Sequence, residues 1–115
     1  MTLFKLLPMR MLISIGISAL FCAPTLAQDE TPTFTPVQIA AGAKLFSDNC
    51  AICHGPRMNE PGGGFFDLKT FPPKQRPRFM NSVTNGKNSM PPWRNVLSQE
   101  QIGNLFAYVI AGEPK

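Results

Sequence analysis

Two cysteines and a histidine stand together in the run "NCAICHGPRM" at residues 49–58: Cys50, Cys53 and His54. The chain has 115 residues, one histidine and three cysteines. The third cysteine, Cys22, lies in an apolar N-terminal segment, so Cys50 and Cys53 form a pair of their own. Thiolate and imidazole are both metal ligands, and thiols also form disulfides and redox pairs.

The spacing selects among these chemistries. Residues three and four apart share one face of a helix. Both thiols therefore reach in one direction, and His54, four after Cys50, joins them. A structural zinc site takes four ligands, and here there are three with no second pair in the chain. A thioredoxin-like pair belongs beside a βαβ pattern, whereas the residues before Cys50 read as helix. A plain disulfide leaves His54 unexplained. Cys-x-x-Cys-His is the attachment pattern of c-type haem, two thiols meeting the vinyl groups on one edge of the porphyrin and the histidine turning under the ring toward iron. One covalently bound haem c is the expected cofactor.

A sixth ligand decides whether such an iron has an open position. No other histidine exists, which leaves lysine and methionine. Met58 follows His54 too closely to reach the opposite face. Met80 falls in a predicted helix beside Phe79, where core packing accounts for it. Met90 lies in "NGKNSMPPW", a loop stiffened by Pro91 and Pro92, which remove backbone freedom and two donors.

The elements that must position these residues follow from the rest of the chain. Lys5 and Arg10 precede an apolar run at 11–21, Pro24 breaks it, and Thr25-Leu26-Ala27 offers small residues for cleavage before Gln28. This is the layout of a secretory signal peptide over 1–27. A spanning helix needs roughly 20 apolar residues, more than this run has, so no stable membrane insertion is expected. Residues 28–34 read as a flexible polar lead-in, and 35–115 as one small domain. Loss of Lys5 and Arg10 takes the net charge from +4 to +2, too mild to argue for nucleic acid.

A first helix is expected from Thr35, with Pro36 at its first position, running into Cys50. Residues 55–75 are dense in Gly and Pro and predict a loop. A short helix over 76–85 ends at Gly86. A last helix opens with a Ser98–Gln101 capping box and carries Ile102, Leu105, Phe106 and Val109 on one face before Gly112 and Pro114. No strand is predicted.

Taken together, the helix leading into "CAICH", the loop, the short helix ending "VTNGKNSMPPW" and the final "LSQEQIGNLFAYVIAG" segment resemble a class I, mono-haem c-type cytochrome over about residues 35–112. The resemblance implies an all-α small cytochrome c fold, a few short helices wrapped round one haem. It implies that Cys50 and Cys53 bind haem covalently, that His54 is the proximal iron ligand and that Met90 is the distal one. Gly42 and Phe46 of the first helix would meet Phe106 and Tyr108 of the last. In that family a backbone carbonyl after the haem motif often accepts the second N–H of the histidine, and the Pro61-Gly62-Gly63-Gly64 run offers candidates for that part.

The function implied is that of a soluble periplasmic one-electron carrier, an electron-transfer protein and not an enzyme. Asn85 and Asn88 read as turn residues around Gly86 in preference to hydrogen-bond donors to the Met90 sulfur. Lys69, Lys74, Arg76, Arg78, Lys87 and Arg94 form either a solvated surface or a docking face for an acidic redox partner, and Trp93 or Arg94 is placed to hold a haem propionate. The stretch "FDLKTFPPKQRPRFMNSVTNGKNSMPPW" is similar to small cytochromes that accept electrons from quinoprotein alcohol dehydrogenases; a terminal oxidase fits equally as acceptor. Two other readings are a five-coordinate haem that binds gases or acts like a peroxidase, against which the missing distal histidine counts, and a haem subunit fixed in a larger redox complex.

Overall fold

The computed structural model describes residues 31–58 and 65–112. The signal-peptide reading, the start of the lead-in and the Pro61–Gly64 run lie outside the described residues. The elements are four α-helices, α1 (Pro36–Asn49), α2 (Ala51–His54), α3 (Arg76–Asn85) and α4 (Gln99–Ala111), with a 3₁₀ turn at Leu68–Thr70. Among the described residues there is no strand, and the fold is all-α.

Helices α1 and α4 begin where the sequence supplies a cap. The Thr35 hydroxyl accepts from the Gln38 N–H at 3.2 Å, while Gln38 Oε1 accepts from the Thr35 N–H at 2.9 Å. Ser98 and Gln101 repeat this box at α4, with distances of 3.1 and 2.8 Å. These reciprocal bonds satisfy N–H groups that a helix start leaves without partners. Glu100 adds a favourable charge at the N-terminus of α4. Gly55 and Gly112, both at positive φ, end α2 and α4.

Helices α1 and α4 form the main packing pair, and α3 packs against α4. Gly42 is what lets α1 and α4 approach. A Cβ there would land in the Asn104 carbonyl and 2.9 Å from the Tyr108 Cβ. One turn on, Phe46 meets the Tyr108 ring at 5.3 Å. Phe106, expected in the same contact, finds its ring partners elsewhere: Phe79 at 5.3 Å, Phe34 at 5.7 Å and Phe71 at 6.3 Å. The largest fully buried side chains are Phe46, Ile102, Leu105, Phe106 and Tyr108. Phe34, the last residue of the polar lead-in, packs edge-on against Phe106 and so joins the core. Met58 is buried in it as well, and Met80 packs partly against it.

Two features differ from expectation in detail. The first helix ends at Asn49, and the Cys50 N–H closes it on the Phe46 carbonyl at 2.8 Å. A separate turn, α2, then carries the histidine. Within the loop over 55–75, Asp67 caps the 3₁₀ turn by accepting from the Lys69 N–H at 3.0 Å.

Candidate cofactor site

Although α1 and α2 are distinct, the Cys50–His54 turn keeps the helical relation that the motif requires. The Cys50 carbonyl accepts from the Cys53 N–H at 3.2 Å and from the His54 N–H at 2.9 Å. Neither cysteine is in a disulfide; Cys50 is half-buried and Cys53 exposed. Burial, and then the neighbouring Cys53, push the Cys50 thiol up to about 11. Burial also holds the His54 imidazole below its ordinary 6.5, so it is neutral near pH 7, as a metal ligand must be. Phe46 and Phe65 face the imidazole, with ring centroids 6.5 and 5.8 Å away.

Met90 is placed by backbone chemistry. Lys87 and Met90 exchange N–H···O bonds of 3.0 and 2.9 Å, closing a tight turn with Asn88 in the left-handed region at φ 54°. The loop then folds back on α3. The Trp93 N–H donates to the Val83 carbonyl at 3.0 Å, and the Arg94 N–H to the Thr84 carbonyl at 3.3 Å. These bonds satisfy carbonyls that the end of α3 leaves open. Gly86, at φ 78°, makes the closure possible, because a Cβ there would stand 2.6 Å from the Met90 carbonyl oxygen.

These pieces converge on one cavity of about 540 Å³, within the range of roughly 300–1,000 Å³ typical of cofactor and ligand sites. Cys50, Cys53, His54 and Met90 all line it, as do core residues Phe46 and Phe79. The space is mostly apolar-walled, with two thiols and an imidazole from one turn and a thioether from a rigid loop. That donor set suits a flat, largely apolar group with a central metal that takes imidazole and thioether, so the residues fit haem.

Some placements differ from the sequence reading. Trp93 lines the cavity, but Arg94 does not; Arg78 and Lys87 are the cations on its wall. The Asn85 amide is engaged with the Asn81 carbonyl at 3.1 Å and the Asn81 side chain at 2.8 Å, as suits a helix-end residue. Asn88 is the turn residue at positive φ. Arg78 was legible only as one cation among six, since nothing in the sequence says which of them faces the cavity.

Comparison with known proteins agrees with this geometry. A family model described as cytochrome C oxidase, cbb3-type, subunit III matches residues 37–109. Cytochrome c6 of Synechococcus sp. is 43% identical over 90 residues, covering 70% of this chain and 74% of that protein. Cytochrome c6 of Nostoc sp. is 34% identical over 106 residues, covering 86% and 87%. Cytochrome c6 of Rippkaea orientalis is 31% identical over 111 residues, covering 93% and 92%. The chain belongs to this family of c-type cytochrome domains. It is a mono-haem electron-transfer protein rather than an enzyme, with covalently bound haem c as its cofactor.

Proposed function

We propose that the protein is a soluble periplasmic one-electron carrier in which Cys50 and Cys53 form the thioether links, His54 is the proximal iron ligand and Met90 the distal one. The observation that carries this is the convergence of Cys50, Cys53, His54 and Met90 on a single cavity. Bound haem supplies reversible Fe(II)/Fe(III) exchange of one electron. The chain's part is to fix the ligands and to surround them with a mostly apolar wall. His54 is held neutral by burial, with the Phe46 and Phe65 rings facing it. Met90 is held by the Lys87 turn and the bonds to the end of α3. A thioether favours the ferrous state, and His/Met ligation raises the potential relative to other axial sets. With His54 and Met90 both holding the iron, no position would be open to substrate, which favours a carrier over gas-binding or peroxidase-like chemistry.

The layout of residues 1–27 supports export and a periplasmic location. Among the described helices none is long and apolar enough to cross a membrane. Lys69, Lys74, Arg76, Arg78, Lys87 and Arg94 are all exposed, which supports a docking face for acidic redox proteins, with association speeded by charge and weakened by salt. A quinoprotein alcohol dehydrogenase as donor and a terminal oxidase as acceptor are the partners that the 66–93 stretch suggests. The test is an optical spectrum of the mature protein, reduced and then exposed to carbon monoxide. An unchanged spectrum supports two filled axial positions. Prompt carbon monoxide binding contradicts them and favours the sensor or enzyme readings.

A further inference from the structure

The cavity wall carries charge of one sign. Among the described lining residues Arg78 and Lys87 are cationic and none is acidic. The two are held differently. Both are exposed, but Lys87 begins the Met90 turn and no ring among the described residues braces it. Arg78 is braced on aromatic rings. Its guanidinium carbon lies 5.2 Å from the Phe71 centroid and 5.4 Å from that of Phe66, within cation–π range. Its Nη1 donates to Gln75 Oε1 at 2.8 Å.

The brace is itself anchored. Phe66 meets Phe71 edge-on at 5.9 Å, and Phe71 meets the buried Phe79 at 5.4 Å. Phe66, Phe71 and Phe79 also line the cavity. A ladder of rings therefore runs from the core to the guanidinium along the wall. A guanidinium is always charged, weakly hydrated and well suited to ring faces. Beside an apolar cavity its field is screened less than in open water.

We propose that Arg78, fixed at the cavity wall by Phe66 and Phe71, is an electrostatic determinant of the reduction potential, favouring ferrous over ferric iron. The ferric site carries one more positive charge than the ferrous, so a cation fixed nearby opposes oxidation and raises the potential. This rests on the carrier reading, and it assigns Arg78 a role at the cofactor in addition to any at a docking face.

The test is a spectroelectrochemical titration of the haem-loaded wild-type protein and of R78Q, R78K and F71L, at low and high ionic strength. R78Q is expected to lower the ferrous-to-ferric ratio at fixed applied potential about threefold, roughly 30 mV at 59 mV per tenfold for one electron. R78K restores most of the shift. F71L, which keeps the charge but removes one ring of its brace, falls between. Added salt narrows the gap between wild type and R78Q. The methionine–ferric charge-transfer band reports the ligand set in each protein. R78Q with the band and a wild-type potential overturns the inference. Loss of the band in both R78Q and R78K gives Arg78 a structural role and overturns it as well. A wild-type protein without the band contradicts the carrier reading instead.

Discussion

Lys87 and Met90 hold each other through two backbone hydrogen bonds, Lys87 N–H to the Met90 carbonyl at 3.0 Å and Met90 N–H to the Lys87 carbonyl at 2.9 Å. The backbone that carries the thioether is thus fixed by the turn. Gly86 is the residue on which that geometry depends.

Gly86→Ala is expected to destabilise the protein by about 1–3 kcal/mol, because alanine is strained at φ 78° and its Cβ would press on the Met90 carbonyl. Denaturant unfolding followed by circular dichroism measures the loss. The same variant is expected to bind carbon monoxide more readily than wild type, since the loop must shift to admit the methyl group.

Gly42→Ala tests the crossing of α1 and α4. The added methyl has no room beside Asn104 and Tyr108, and overpacking of this kind costs about 1–3 kcal/mol. The expected result is a lower midpoint of unfolding with the optical spectrum of the folded protein unchanged. A Gly42→Ala protein as stable as wild type would show that the helices separate without cost.

Phe106→Ala removes the ring on which Phe34, Phe71 and Phe79 converge. Truncating a buried aromatic costs about 3–5 kcal/mol, to be read from the same unfolding curves. Phe46→Ala is expected to cost a similar amount and also to disturb the histidine side of the cavity, because Phe46 meets both Tyr108 and His54.

Acid is expected to act through His54. Burial holds its proton affinity below the ordinary 6.5, so the unfolded chain takes up the proton first as pH falls. The stability contributed by the neutral imidazole is fully present above 6.5 and is lost as pH drops through the lowered folded value. In the haem-loaded protein, iron competes with the proton and moves the change to still lower pH. A spectrophotometric acid titration is therefore expected to be flat from neutrality down to pH 6.5, with any loss of histidine ligation below it. Loss of ligation at or above 6.5 would contradict this.

Much of this architecture is legible in the residues, for reasons that are local. Thr35-Pro36 and Ser98-x-x-Gln101 carry their own capping chemistry, and the i, i+3, i+4, i+7 recurrence of Ile102, Leu105, Phe106 and Val109 marks the buried face of α4. Cys50, Cys53, His54 and Met90 all line one cavity because a fixed motif and a proline-stiffened loop constrain them. What the sequence hides is non-local. Periodicity says that Phe106 is buried, yet it does not say that Phe34, Phe71 and Phe79, and not Phe46, are its ring partners. Composition marks 69–94 as basic, while only the packing of Phe66 and Phe71 brings Arg78 to the cavity. The break at Cys50 and the Asp67-capped turn are single hydrogen-bond choices that apolar periodicity cannot register.

Met90 as distal ligand is tested by the methionine–ferric charge-transfer band of the oxidised, haem-loaded protein, recorded for wild type, M58L, M80L and M90A. The predicted result is a band in wild type that M58L and M80L keep and M90A alone abolishes, with M90A also gaining carbon monoxide binding when reduced. A band that survives in M90A, or one absent from the wild type, would contradict the assignment.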